Sequence, residues 1–426
     1  QIGPHTETSH STPTPRYYDL ADFPEVISVR RGLPARTDST SISYPDPWFG
    51  TESHLRDACA YIIESSIATL DLAARHREQF LFNVYRMGRD AIETGERGGP
   101  FAYVVPPDQW DPSEAVNLIN VFRYGGAEVF RATRSFTADG AEYPAGSYIL
   151  YAAQAFRPLV VNLMEPQRYP EREQYPGGPP ETPYDLAGWT LPMQMGVRVD
   201  RIETPFDAQA EEVADMASSD PGSVSGSGSF GYALGANSNA AFHAVNRLLA
   251  QGTVVHVTNE SFEAGSESFA AGSFIVRAGS GVDDAVRSLA REFGLDFVGL
   301  AASPDVATDE LRLPRVGLYK AWHTRVDDQG WTLWIMEQNE FPVDTLHDAD
   351  IRYGDLSPFD AIILPNLSGD RILQGYLPGT MPEEFVGGLG AEGAASLKRF
   401  VEAGGTLIAF DASTDFPIDQ FLSLIH

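Results

Sequence analysis

The chain has 426 residues, of which 43% are hydrophobic and 21% charged, as in folded globular proteins. This length predicts two to four domains. The formal net charge of −29 argues against nucleic acid as a partner, because phosphate binding needs clustered Lys and Arg. No apolar run approaches the length of a membrane span, and the single cysteine, Cys59, leaves no internal disulfide.

The first residues contain the element Gly3-Pro-His-Thr-Glu-Thr8. An acidic side chain between small hydroxyl residues, before a turn-rich segment, is the pattern of a buried catalytic carboxylate, and Glu7 is the candidate. A structural carboxylate with satisfied hydrogen bonds is the alternative interpretation. Residues 11–52 are rich in Pro, Ser, Thr and Asp and predict irregular structure.

Residues 53–96 have helical periodicity, and Gly98-Gly99-Pro100 ends the pattern. The spacing of three and four residues predicts one buried face, formed by Leu55, Cys59, Ile62, Ser66, Leu70 and Ala74.

An internal repeat follows, in residues 101–150 and 230–276. Each copy contains a predicted strand, a helix with an Ala-Val-Asn element, a second strand, a Ser-Phe pair and an Ala-Gly-Ser element before a last strand. In the first copy Asp111 and Pro112 open a helix predicted over residues 112–124, and residues 127–130 are predicted as the second strand. The order of matches predicts two related βαβ units that pack as one region.

Two segments lie between the copies. Residues 165–180 are dense in Pro, Tyr and Arg, and they are consistent with a structural crossover or with a loop that lines a ligand. Residues 218–229 are rich in Gly and Ser and predict a loop or linker.

The last part of the chain alternates strands with helices from Pro314 onward. Strands are predicted at 315–319, 359–365 and 406–410, and helices at 331–339 and 391–403, the first with aromatic anchors. Continuous apolar strands in this order predict a parallel, doubly wound sheet.

Several short motifs fail the tests of their structural context. His54-x-x-Asp57 and His347-x-x-Asp350 have metal-ligand spacing but favour surface pairs. The Gly-x-Gly-x-x-Gly match at 226–231 precedes a strand, and the one at 388–393 lies too far after its strand to hold a pyrophosphate. Ser413 follows the last strand without the glycines of a nucleophile elbow.

The chain resembles the final part of M14-family zinc carboxypeptidases from a bacterial subgroup. The resemblance rests on residues 3–8, on Phe82-Asn-Val-Tyr-Arg-Met-Gly-Arg-Asp-Ala-Ile92 and on further segments in the extension. These further segments are residues 105–111, 174–180, 184–192 and 379–385. The last region resembles the class I glutamine amidotransferase-like fold, but Asp411-Ala412-Ser413 stands where that fold has its cysteine nucleophile.

The resemblance implies an α/β protein in three parts. Residues 1–97 are expected to be the C-terminal part of an M14 peptidase-like domain, residues 98–312 an accessory α/β region that contains the repeat, and residues 313–426 an incomplete amidotransferase-like domain. The family holds one zinc with two His and one Glu and uses a further Glu as general base. Glu7 matches that catalytic Glu. In the family the zinc ligands precede the catalytic Glu by many residues, so the resemblance implies that they lie upstream, and no ligand is expected in this chain. His5 is too close to Glu7 to be the third ligand and is expected at most to contact a residue of the site.

The predicted activity is hydrolysis of a peptide or amino-acid-conjugate bond at a carboxyl terminus, with an extracellular or periplasmic location. The fragment alone is expected to be inactive. The alternative is a non-catalytic binding or assembly protein in which the repeated units recognise a polymer or a partner.

Overall fold

The computed structural model describes residues 14–19, 21, 23–27, 35–40, 46–48, 50–168, 170–181, 188, 190–323 and 326–421. These residues are mixed α/β and fall into two compact units. The first unit contains the described residues up to Arg77 with 314–337 and 342–421, and the second contains 78–313 and 338–341.

The strands and helices of the described residues follow in chain order. The strands are β1 (Arg16–Tyr18), β2 (Val26–Ile27), β3 (Ala35–Arg36), β4 (Thr51–Ser53), β5 (Ala102–Val105), β6 (Phe130–Ala132), β7 (Phe136–Ala138), β8 (Ala141–Tyr143), β9 (Tyr148–Tyr151), β10 (Asp200–Ile202), β11 (Ala210–Glu212), β12 (Val224–Gly226), β13 (Gly231–Leu234), β14 (Val255–Thr258), β15 (Phe262–Ala264), β16 (Glu267–Phe269), β17 (Phe274–Arg277), β18 (Phe297–Leu300), β19 (Thr308–Glu310), β20 (Val316–Tyr319), β21 (Val343–Leu346), β22 (Ala361–Leu364) and β23 (Thr406–Ala409). The helices are α1 (Leu55–Arg75), α2 (Arg77–Arg97), α3 (Pro112–Tyr124), α4 (Arg157–Met164), α5 (Leu191–Met195), α6 (Asn239–Ala250), α7 (Val282–Phe293), α8 (Val326–Gln338), α9 (Asp348–Tyr353), α10 (Gly369–Gln374), α11 (Gly390–Glu402) and α12 (Asp415–Phe421).

The two repeats have the same strand order. The first forms the sheet β10-β5-β9-β6-β11, and the second forms β18-β13-β17-β14-β19 with β12 added at the β18 edge. In each, the helix joins two strands that run parallel, and the last strand of the copy lies between them, antiparallel to both. The predicted βαβ units are therefore split βαβ motifs, in which an antiparallel strand lies between the two parallel strands.

Both faces of each repeat sheet are covered, which explains its continuous apolar strands. In β5, Tyr103 and Val105 face a cluster that includes α3 and α4, while Ala102 and Val104 face the β7–β8 hairpin. In the second repeat, α6 and α7 cover one face and the β15–β16 hairpin covers the other. Alternate residues of a strand point to opposite faces, so two covered faces need apolar residues at every position.

The C-terminal sheet has the order β21-β20-β22-β23, and all of its neighbours are parallel. The prediction of a parallel sheet is therefore confirmed. The helix predicted at 331–339 extends over 326–338 as α8, and its aromatic residues do not act as buried anchors, since Trp331 and Trp334 are 63% and 52% exposed. Leu333 and Met336 pack on the sheet instead.

The predicted buried face of residues 53–96 is wrong. The segment forms two helices, α1 and α2, and all six residues named for that face, all of which lie in α1, are exposed. Ala58 is the buried residue of α1, and Tyr61, Ile63 and Ile67 are also exposed. Helical periodicity identifies a face suited to burial, but the described residues do not cover it.

Residues 338–341 lie in the second unit, where Glu340 forms an ion pair with Arg247 of α6. The Glu340 carboxylate accepts from Arg247 Nη2 at 2.6 Å and lies 3.0 Å from His243 Nε2. The hydrogen bond with Arg247 lowers the pKa of Glu340 to about 2. Because this pKa is lowered in the folded chain, the pair stabilises the fold above the ordinary pKa of Glu340, and that stabilisation is lost as the pH falls towards 2.

Gly95 lets α2 pack closely on the chain that follows β9. A Cβ at Gly95 would lie 2.5 Å from the carbonyl oxygen of Ala152 and 2.6 Å from Ala153 Cα, both backbone atoms that cannot rotate away. We expect Gly95→Ala to destabilise the second unit by about 1–3 kcal/mol, as overpacking does. Urea denaturation measures this change.

Gly88 on the same helix is the matched control. A Cβ there meets Ala155 Cβ at 3.6 Å, an ordinary contact. Gly88→Ala should be neutral or stabilising by up to about 1 kcal/mol, because Ala favours helix more than Gly. Equal stability of the two variants would contradict the packing argument.

Candidate functional site

The predicted catalytic residue Glu7 and its neighbour His5 lie outside the described residues. Within the described ranges, no group of three or more His, Cys, Asp or Glu side chains could hold a metal ion.

The two His-x-x-Asp pairs are helix starts. The Asp57 carboxylate accepts from the backbone N–H of His54 at 2.8 Å, and Asp350 accepts from the N–H of His347 at 2.8 Å. In each pair the Asp lies in the first turn of the helix, where a carboxylate satisfies an otherwise unpaired N–H group. The spacing that resembles a metal motif is therefore a capping box.

The second unit contains a cleft of about 790 Å³ between the two repeats. Its walls include the loop that joins β5 to α3 and the equivalent loop that joins β13 to α6. Residues 219–222, from the predicted Gly/Ser linker, also line it, together with the turn after β16 and the turn before β18. The described Pro/Tyr-rich residues 165–168 and 170–180 do not line the cleft.

The Asp111 carboxylate joins the two loops. It caps α3 by accepting from the N–H groups of Ser113 at 3.0 Å and Glu114 at 3.3 Å. It also accepts from the Ser238 hydroxyl and from the N–H of Asn239, both at 3.0 Å, at the start of α6. One buried carboxylate thus satisfies the N-termini of two helices from different repeats.

Three of the four charged residues that line the cleft have hydrogen-bond partners within the second unit. Arg131 donates to Asp220 at 2.6 Å, and this hydrogen bond raises the pKa of the guanidinium. Asp296 accepts from the N–H of Ser223 at 2.8 Å and from its hydroxyl at 2.6 Å. Glu267 is the remaining acidic residue among the described lining residues.

Trp110 stands at the edge of the cleft with 78% of its surface exposed. The loop that carries it is fixed on both sides. Asn237 donates to the carbonyl oxygen of Trp110 at 3.1 Å, while Gln109 donates to that of Pro106 at 2.8 Å and accepts from the N–H of Arg198 at 2.8 Å. An exposed indole on a fixed loop is a preorganised surface for a planar or ring-shaped ligand.

The carboxyl end of β23 has the backbone geometry of a sharp turn. Asp411 has φ 49°, and its carboxylate accepts from Asn366 Nδ2 at 2.7 Å. Ser413 is fully buried and donates to the carbonyl oxygens of Leu364 at 3.0 Å and Phe410 at 2.7 Å. Both side chains therefore hold the turn.

The sequence predicts Asp111 at the start of a helix, and residues 105–111 carry part of the resemblance, but no sequence pattern assigns Trp110 a role. The available signal was a Trp directly before a predicted N-cap, in a segment without helical or strand periodicity.

No protein-family model matches this chain, and neither a curated protein nor a solved structure was found that matches it. None of the described helices is both long and apolar enough to cross a membrane.

Proposed function

We propose that this chain is the C-terminal part of a zinc-dependent metallocarboxypeptidase that hydrolyses peptide or amino-acid-conjugate bonds at a carboxyl terminus, outside the cytoplasm. The observation that carries the proposal is the Gly3-Pro-His-Thr-Glu-Thr8 element, followed in order by the other segments that resemble the M14 family.

Glu7 is assigned the proton transfers. Its carboxylate takes a proton from the attacking water and delivers it to the leaving amine. The described residues do not fit a zinc site, so the proposal places the ligands outside them and assigns His5 to a contact with the catalytic group. Zinc, when bound, supplies charge stabilisation for the reaction.

The exposed apolar side chains of the first long helix support the proposal. Tyr61, Ile63, Ile67 and Leu70 of α1 are each more than half exposed, an arrangement that costs solvation free energy unless another surface covers them. The remainder of the peptidase domain, packed against α1, would provide this cover.

Metal analysis and a hydrolysis assay of the complete gene product test the proposal. We expect about one zinc per chain and cleavage of blocked dipeptides with a free carboxyl terminus, both lost on dialysis against a chelator. A metal-free protein that cleaves no member of a panel with acidic, basic, aromatic and small terminal residues would refute it.

The second candidate function is ligand binding by the repeat region without catalysis. The cleft between the repeats favours it, because its volume falls within the range of about 300–1,000 Å³ that is common for small-molecule sites. The two functions are separable, since the binding function requires neither zinc nor Glu7.

A further inference from the structure

We propose that the cleft between the repeats binds an uncharged oligosaccharide, with one sugar ring stacked on the indole of Trp110. This inference names the ligand class of the second candidate function and rests on it, but it is independent of the peptidase proposal.

An anionic ligand does not suit the cleft. Two helices begin there, and helix N-termini attract negative charge. Asp111, however, already accepts from the first N–H groups of both helices. Arg131 in the cleft is paired with Asp220. An incoming phosphate or carboxylate would therefore find the helix N–H groups already bound to Asp111 and the charge of the guanidinium already balanced.

A strongly cationic ligand is also disfavoured. Two of the three lining carboxylates, Asp220 and Asp296, already have donors within the second unit. Glu267 lies on a surface strand, exposed to solvent, where a single ion pair contributes at most about 1 kcal/mol. Charge therefore does not define the ligand.

The remaining features suit a ring with hydroxyl groups. Trp110 is an exposed aromatic residue, and Ser219 and Ser268 are among the lining residues, with hydroxyl groups that can both donate and accept hydrogen bonds. The lining also includes the small side chains of Ala236, Ala270 and Ala271. Small side chains allow a ligand to approach the backbone N–H and C=O groups. Apolar stacking combined with many neutral hydrogen-bonding groups is how a protein holds a sugar without using charge.

Calorimetric titration with uncharged tetrasaccharides tests the inference. The probes are the tetramers of glucose, xylose, mannose and N-acetylglucosamine, added to the whole chain. We expect at least one to bind with a Kd of about 1 mM or tighter, and Trp110→Ala to weaken that binding at least about tenfold.

Trp331→Ala is the matched control, because Trp331 is similarly exposed at 63% but lies on α8 in the other unit. It should bind like the unsubstituted chain. Equal binding by Trp110→Ala, or no binding of any tetramer, overturns the inference. Binding of oligolysine or of oligophosphate without sugar binding would overturn the sugar assignment while the binding function of the cleft stands.

Discussion

Replacing Glu7 by Gln in the complete gene product is expected to lower the hydrolysis rate by about 10²–10⁴-fold, the usual contribution of a general acid–base group. Gln keeps the size of the side chain but cannot take a proton from water. Bound zinc should stay near one per chain, because the proposal does not make Glu7 a ligand. The measurements are the initial rate on the best substrate of the panel and the zinc content.

Glu25→Gln provides the control, since Glu25 is an exposed carboxylate of the same N-terminal region. It should leave both the rate and the zinc content unchanged. Full activity of the Glu7→Gln variant would remove the catalytic assignment. Loss of zinc together with activity would show instead that Glu7 acts as a ligand.

The repeat shows how far hydrophobic pattern alone can determine topology. The strand–helix–strand order was visible in the sequence, and α3 has the predicted bounds of residues 112–124. The position of β9 between β5 and β6 was not visible, because a strand buried on both faces has the same continuous apolar pattern whether its neighbours are parallel or antiparallel. In the C-terminal sheet the same apolar pattern accompanies parallel neighbours, as predicted for that sheet.

The boundaries of single strands depend on hydrogen bonding as well as on side chains. Residues 127–130 were predicted as a strand, but β6 begins at Phe130. Ala127 and Val129 are fully buried, so their pattern reflects burial in the loop before the strand. On α1 the prediction of burial was wrong, since Ile62 and Leu70 have the spacing of a buried helix face and are nevertheless exposed. Periodicity shows which face of a helix is apolar, but it does not show whether another part of the protein covers that face.

The candidate cleft could not be predicted from local sequence because its walls come from positions far apart in the chain. Trp110 and Asn237 belong to different repeats and meet through one hydrogen bond of 3.1 Å. The equivalence of the two loops was available from the repeat, since each follows the first strand of its copy. What the sequence lacked was the relative placement of the copies, which Asp111 helps to determine.

Replacing Asp111, which joins the two loops of the cleft, by Ala should therefore destabilise the second unit. The variant removes the side-chain cap of α3, which costs about 1 kcal/mol. It also removes the acceptor of the Asn239 N–H at the start of α6, although Ser238, the side-chain cap of α6, remains. It also leaves N–H and hydroxyl donors unpaired at a site where Asp111 is 7% exposed, which adds about 1–3 kcal/mol. We expect a total of about 3 kcal/mol, measured by urea denaturation.

Hydrogen exchange followed by mass spectrometry locates the effect. Peptides from α3 and α6 should exchange faster in Asp111→Ala, while peptides from β20 and β22 in the other unit should not change, because the lost hydrogen bonds lie within the second unit. Asp108→Ala is the control, since Asp108 is an exposed carboxylate of the same loop and should change stability by less than about 0.5 kcal/mol. Faster exchange in α3 alone would mean that Asp111 caps its own helix without holding the two repeats together. The cleft would then depend on other contacts for its shape.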